Sequence, residues 1–306
     1  MQVGPRLRTL TDYSSRQCEK VAEPLNRASD CHLADIVMEF ANEGLMPSFE
    51  ALISEAQQHP TQGWDFSWLD SRLLTTKFPW DFRQIVDYFA KQSPTMLDLG
   101  TGGGEWLADL PHRPPHTVAT EAWLPNVPIA TERLKANGVE VVKVDPAPDN
   151  NRQIPEGSEN SRLPFLDCSF HLAISRHESF VAKEVARILD AGATFVTEQI
   201  GDGLNREFCE LFHAPVAAQQ PLSLAMVVSQ VEMAGLKVSD SQGAYQTIQF
   251  ADVGALAWYL RMVPWTVPGF SISKDRTRLA ELHARMNNRG PLTVHLPGFY
   301  LVAVKQ

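Results

Sequence analysis

The chain is poor in cysteine. It has four in 306 residues, Cys18, Cys31, Cys168 and Cys209. None stand at metal-ligand or redox spacing, which excludes a disulfide scaffold, a zinc ribbon or a CxxC oxidoreductase. Reduced cysteines of this kind fit a cytoplasmic protein. No apolar run approaches the ~20 residues that span a bilayer, so no membrane partner is expected. The N-terminus lacks the apolar core of a secretory signal, and its Arg6, Arg8 and Arg16 are soon followed by Glu19 and Glu23. Positive charge is also short: 27 Lys and Arg against 36 Asp and Glu, a formal net charge of -9. Such a chain repels a phosphate backbone, and its densest basic run, 274–285, reads as the solvated face of a helix, so a nucleic-acid partner is disfavoured. Internal repeats and long low-complexity tracts are missing as well, which excludes solenoids and arrays.

What is present is ordinary globular material, 44% hydrophobic and 21% charged, enough for one large domain or two small ones. Residues 1–45 show little periodicity and read as a poorly ordered or helical extension. Pattern begins with Ser48 as an N-cap ahead of Phe49, Leu52, Ile53 and Ala56 on one helical face. An aromatic stretch with Trp64, Phe66, Trp68, Phe78 and Trp80 follows, then a helix with Phe82, Ile85, Val86 and Phe89 in phase. We take 46–94 as an N-terminal helical and aromatic lid segment. From Thr95, short apolar runs alternate with helical patterns, which predicts an α/β fold with a mostly parallel, doubly wound sheet. One of those helices, "AKEVARILDAG", is expected to close at Gly192. The span 95–306 forms the main domain, interrupted by an insertion at 244–292.

The stretch "MLDLGTGGGEWL", 96–107, ends an apolar strand in Asp98 and runs through Gly100, Thr101, Gly102, Gly103 and Gly104 into a helix. Glycines permit positive φ and close approach of a ligand to the backbone. A dinucleotide site wants G-x-G-x-x-G, and Glu105 occupies the third glycine position, where a pyrophosphate would sit. A nicotinamide cofactor is therefore disfavoured. The next strand ends in Glu121, about 20 residues beyond the loop, a spacing at which an acid meets ribose hydroxyls in nucleotide-binding α/β folds. Trp123 just beyond is placed either on an adenine or in the core.

The run "DLGTGGG" resembles motif I of class I S-adenosylmethionine-dependent methyltransferases, [D/E]-x-G-x-G-x-G. The segment "LPFLDCSFHLAIS" and the element "ILDAGATFVTEQIG" are similar to the later parts of that class. "GWDFSWL", "ATEAWLPNV" and "SRHES" also resemble a methyltransferase-domain family of unassigned substrate. The resemblance implies a Rossmann-like, seven-stranded sheet with an antiparallel C-terminal strand. It implies S-adenosyl-L-methionine as cofactor, held by Asp98, Gly100, Thr101, Gly102, Gly104, Glu121 and Arg176. His171 stands where the class carries Asp, and Asp190-Ala191 replace its Pro-Gly. The loop ahead of "LPF" is expanded, leaving Asp145, Glu159 or Asn160 to contact the adenine.

Methyl transfer from a sulfonium needs an in-line nucleophile and, for a hydroxyl, a base. Arg176, His177 and Glu178 fall at the carboxyl end of the fourth strand, where open α/β sheets bind ligands. His177 is the expected base, with Glu178 as its orienting acid or a substrate contact. A salt-bridged strand cap is the competing reading. Trp64, Arg72, Trp258 and Tyr259 are expected to wall the acceptor site. No metal is called for. The expected acceptor is a small organic molecule. The alternatives are a protein or RNA acceptor, or a cofactor-binding protein without catalysis.

Overall fold

A computed structural model describes residues 47–61, 66–148, 150, 162–201, 203–216 and 222–306. Helix α1 (Phe49–Gln58) opens the described chain, its first turn closed by Ser48, whose side chain accepts from the Ala51 N–H. A short 3-10 turn (Ser67–Leu69) leads to strand β1 (Leu73–Thr75). Then follow α2 (Phe82–Ala90), β2 (Thr95–Leu99), α3 (Glu105–Ala108), β3 (His116–Glu121), α4 (Asn126–Lys135) and β4 (Glu140–Lys143). The second half contains β5 (Phe170–Arg176), α5 (Ala182–Ile188), β6 (Leu189–Ile200), α6 (Gly203–Leu211) and α7 (Leu224–Met233). It closes with β7 (Leu236–Phe250), α8 (Val253–Met262), α9 (Arg276–Arg289) and β8 (Leu292–Lys305).

The strands form one eight-stranded sheet in the order β1-β7-β8-β6-β5-β2-β3-β4. Pairing is parallel from β4 through β6, while β8 runs antiparallel between β6 and β7. The α/β class, the parallel core and the antiparallel last strand are as expected. The strand count is corrected from seven to eight. The extra strand is β1, whose residues pair antiparallel with Ile248–Phe250 at the sheet edge, so part of the segment read as a lid joins the sheet. Strand β7 runs through 244 to Phe250, so the start of the segment read as an insertion belongs to the sheet. Helix α5 stops at Ile188 instead of near Gly192, because Leu189 is already extended and pairs with Phe170. Tertiary pairing here overrides the helical propensity of the sequence.

Alternation along the central strands separates two cores. Met96, Leu172 and Ile174 pack under α2 and α4, while Leu97, Leu99 and Ala173 pack under α5 and α7. Residues buried on both faces explain why these strands read as continuous apolar runs. A third core lies along the far halves of β7 and β8, where Ile248, Phe250, Leu292 and Val294 pack with α1, α8 and α9. Among the described residues no helix is long and apolar enough to cross a membrane. Nor do three or more His, Cys, Asp or Glu side chains gather as metal ligands there.

Candidate functional site

The glycine loop sits at the carboxyl end of β2. Asp98 is 4% exposed and Glu121, at the end of β3, is 6% exposed. Burial pushes the Asp98 carboxyl up to about 6, and the Glu121 charge adds to this. Thr101, close by without a well-aligned hydrogen bond, and the more distant Arg176 charge pull the other way. Gly100 and Gly102 both have left-handed φ, 70° and 63°, a conformation that only glycine adopts at little cost. Their N–H groups are spoken for: Gly100 N donates to Thr120 Oγ1 at 3.3 Å and Gly102 N to Glu121 Oε2 at 2.7 Å. The Glu121 Oε1 accepts from the Trp123 N–H at 2.7 Å. One carboxylate therefore ties the glycine loop to the loop after β3, and each oxygen retains a lone pair for a further donor. Thr101 Oγ1 is the one buried side-chain polar atom without a hydrogen-bond partner among the described residues. A buried polar group is normally satisfied, so this hydroxyl marks a place for a ligand atom or water.

Beside the loop opens a cleft of about 470 Å³, counting its solvent-open mouth, bounded by Gly100, Ala122, Asp145, Leu163, Glu178 and Phe180. Asp145 lies at this cleft, whereas Glu159 and Asn160 lie outside the described residues. Trp123 is 66% exposed, so it does not belong to the core.

One strand over, β5 ends in Arg176 and then His177, and β6 brings Glu198 beside them, Arg176 pairing with Glu198 in register. Glu198 is 6% exposed. Its Oε1 accepts from the Trp80 indole N–H at 2.8 Å, and its Oε2 accepts from Arg176 Nε at 3.2 Å and lies 3.4 Å from His177 Nε2. Burial would raise this carboxyl, but the His177 and Trp80 donors and the Arg176 charge outweigh it and hold it below the usual range. Trp80 stacks on Phe78 at 4.6 Å and meets Tyr300 edge-on at 5.2 Å. On the other side the Arg176 guanidinium lies 5.9 Å from the Trp106 ring.

The turn after β5 is held rigidly. His177 has φ 59°, and its N–H donates to the Glu198 carbonyl at 2.8 Å. The Ser175 hydroxyl and the Gln199 amide both donate to the Glu178 carbonyl, at 2.8 and 2.9 Å. The acid beside His177 is thus Glu198, not Glu178. The Glu178 side chain turns instead onto the glycine loop, where a Cβ on Gly100 would fall 2.2 Å from Glu178 Cγ.

The residues expected to wall an acceptor site are largely elsewhere. Arg72 is engaged by both oxygens of Asp252, at 2.8 and 2.6 Å, by Glu55 at 3.3 Å, and lies over the Trp68 ring. It clamps β1 to the start of α8. Trp258 is 1% exposed and donates to the Pro60 carbonyl, so it cannot line an open wall. Tyr259 packs among Phe208, Phe250 and Phe66, and burial pushes its phenol up to about 12. Eight of the ten residues of α8 are buried, so the helix is core on nearly every side. Trp64 lies outside the described residues. The sequence reading missed Glu198, although β6 ends in the polar run Thr197, Glu198, Gln199 after an apolar strand, the same signal that drew attention to 176–178.

No family model matches the chain, and no curated protein matches it. Solved structures do. The YcgJ protein from Bacillus subtilis superposes with a TM-score of 0.51 at 16% identity, covering 74% of this chain and 98% of that one. A candidate methyltransferase from Bacillus halodurans C-125 gives 0.50 at 16% identity, with the same coverage of 74% and 98%. At that identity the likeness speaks to architecture alone. Together with the strand order and the glycine loop after the first parallel strand, it shows that this chain has the class I methyltransferase fold, with its substrate unassigned.

Proposed function

We propose that the protein is an S-adenosyl-L-methionine-dependent methyltransferase acting on a small organic molecule. The observation that carries this is the glycine loop itself. It combines a buried carboxylate, two left-handed glycines, a bridging acid on the next strand and a buried hydroxyl without a partner. These features fit a ligand with a cation at one end, a diol in the middle and an apolar ring at the other. Asp98 would hold the ammonium group of the cofactor and Glu121 its ribose hydroxyls. Gly102, where an added Cβ would meet nothing within 4 Å, leaves the backbone open to the cofactor beside Thr101, while Gly100 and Gly104 make room for Glu178 and Leu134, and Arg176 is available to the cofactor carboxylate. Asp145 and Trp123 sit at the adenine end. When bound, this cofactor supplies an electrophilic methyl group, the chemistry that no side chain provides. The protein's own part is to orient the acceptor, exclude water and remove a proton where the acceptor carries one. We assign that last task to His177.

Two of the departures from the class pattern lie at the other end of the sheet. His171 is the second residue of β5, and Asp190 and Ala191 are near the start of β6. They touch neither the glycine loop nor the 176–198 cluster, so they give no support to a cofactor-binding protein that has lost catalysis.

Calorimetric titration with S-adenosylmethionine, S-adenosylhomocysteine and NAD tests the reading. Binding of both S-adenosyl compounds and not NAD is expected, with at least ~10-fold weaker binding for Asp98→Ala and for Glu121→Ala, each equivalent to about one lost charge-assisted hydrogen bond. Absence of S-adenosyl binding, or binding indifferent to both substitutions, overturns it.

A further inference from the structure

A strand cap made of salt bridges would need neither a histidine in the left-handed region nor a network to keep it there. For a residue other than glycine that conformation costs about 1–2 kcal/mol, and it persists only where surrounding structure enforces it. Here the enforcement is buried and specific. Ser175, Thr197 and Gln199 are at most 4% exposed. Gln199 donates to Thr197 Oγ1 and to the Glu178 carbonyl, and Ser175 donates to the same carbonyl. The result sets the imidazole of His177 against a buried carboxylate that is also held by the Trp80 indole and Arg176.

An ionised carboxylate only accepts hydrogen bonds, so a hydrogen bond closing the 3.4 Å contact between Glu198 Oε2 and His177 Nε2 would put the ring proton on Nε2. That leaves Nδ1 with the lone pair. We infer that Glu198 is a positioning residue that fixes His177 with Nδ1 as general base, and that the acceptor is therefore an aryl hydroxyl. The inference rests on the methyl-transfer reading and narrows it. A neutral amine attacks through the lone pair it presents, and a thiol ionises readily enough near neutral pH to need no fixed base, whereas a neutral hydroxyl does need one. The surroundings suit an aryl group: Phe78 and Trp80 form a partly exposed stack on one side, and Trp106 flanks Arg176 on the other. In the step, the acceptor oxygen bonds to the methyl carbon, and the carbon–sulfur bond breaks with its electron pair left on sulfur. The hydroxyl proton passes to His177 Nδ1 and then to solvent.

The test uses the full chain with S-adenosylmethionine and, as probe acceptors, ring-substituted phenols of graded acidity, aniline and thiophenol. Release of S-adenosylhomocysteine gives the rate. Phenols are expected to be methylated on oxygen. Glu198→Gln and His177→Ala should each lower kcat for the least acidic phenol by about 100-fold or more, within the range of a lost general base, with KM little changed. That loss should shrink toward the most acidic phenol, which arrives already ionised, and Glu198→Asp should recover part of it. A merely structural role would lower kcat equally along the series. Nitrogen-15 chemical shifts of the His177 ring give a readout independent of turnover. The Nε2–H tautomer is expected in the native chain and a mixture in Glu198→Gln. An equal loss along the series, an Nδ1–H tautomer in the native chain, or methylation of aniline or thiophenol but no phenol each overturns the inference. If no probe turns over, the tautomer decides. Retained S-adenosylmethionine binding in any overturning case leaves the methyl-transfer reading standing, whereas loss of that binding removes both.

Discussion

Asp98 sits fully inside the protein with a carboxyl pushed from an ordinary 3.8 to about 6 by burial, with Glu121, Thr101 and Arg176 as its polar and charged neighbours. The folded state thus holds this proton more tightly than the unfolded chain does. Its contribution to stability is best at low pH and is lost as pH rises from the ordinary carboxylate range through about 6. The shift corresponds to on the order of 3 kcal/mol at neutral pH. Asp98→Asn should therefore raise the apo melting temperature at pH 7.5, with a smaller gain at pH 5, while weakening S-adenosylmethionine binding. In the native protein, cofactor affinity should fall by up to ~10-fold per pH unit below about 6, because the cofactor's ammonium group needs the ionised carboxylate. Calorimetry across pH 5–8 checks both signs. Residues of this kind are legible in sequence because a charge interrupts an apolar strand. Asp98 stands out that way, and so do Glu121 and Arg176. The pairing of His177 was not legible, since Glu198 is 21 residues away in the chain and is brought alongside only by strand register.

The elements were visible where a single period governs them. β2, β3 and β5 announce themselves as apolar runs, and α2 as a 3.6-residue stripe. Ends were harder, as at Ile188, where pairing to Phe170 stops a helix that local pattern would continue. Close packing between elements left no trace in the pattern at all. Gly298, within β8, lies so close to Phe78 that a Cβ would fall 2.1 Å from the ring Cζ. The chain N-terminal to α2 can therefore lie flat on the sheet and deliver the Phe78–Trp80 stack to Glu198. Gly298→Ala should displace that stack, cost about 1–3 kcal/mol as an overpacked contact, and lower kcat more than cofactor affinity. Near-ultraviolet circular dichroism would report the lost ring stacking. An unchanged spectrum with unchanged turnover would show that the stack does not depend on the missing Cβ.

At the scale of the whole molecule, nearly the full length of each solved neighbour is matched, yet about a quarter of this chain is left over. The third core, with Trp258 at its centre, is separate from the two that flank the parallel strands. Trp258→Ala should destabilise the protein by about 3–5 kcal/mol, the usual cost of emptying a large aromatic site, measured by denaturant unfolding. Cofactor affinity of the molecules that remain folded should stay within ~2-fold of native, because sites without shared partners behave additively. Strand β8 joins the two regions. Its alternation is unbroken, so Leu292 and Val294 of the third core share a face with Tyr300 and Val302. Strand β7 can match that face only by spending one extra residue: Val238 pairs with Ala303 and Asp240 with Val302, leaving Ser239 as a bulge. Ser239 works as a phase setter. Ahead of it, Val238 faces the helices on one side of the sheet. After it, Asp240 reaches the Tyr300 hydroxyl at 2.9 Å, and Ile248 and Phe250 turn into the third core. The same single-residue offset thus times both an aromatic contact beside the candidate acceptor site and the burial of a distant core. A chain that lost the beat at 239 would have to give up one to keep the other.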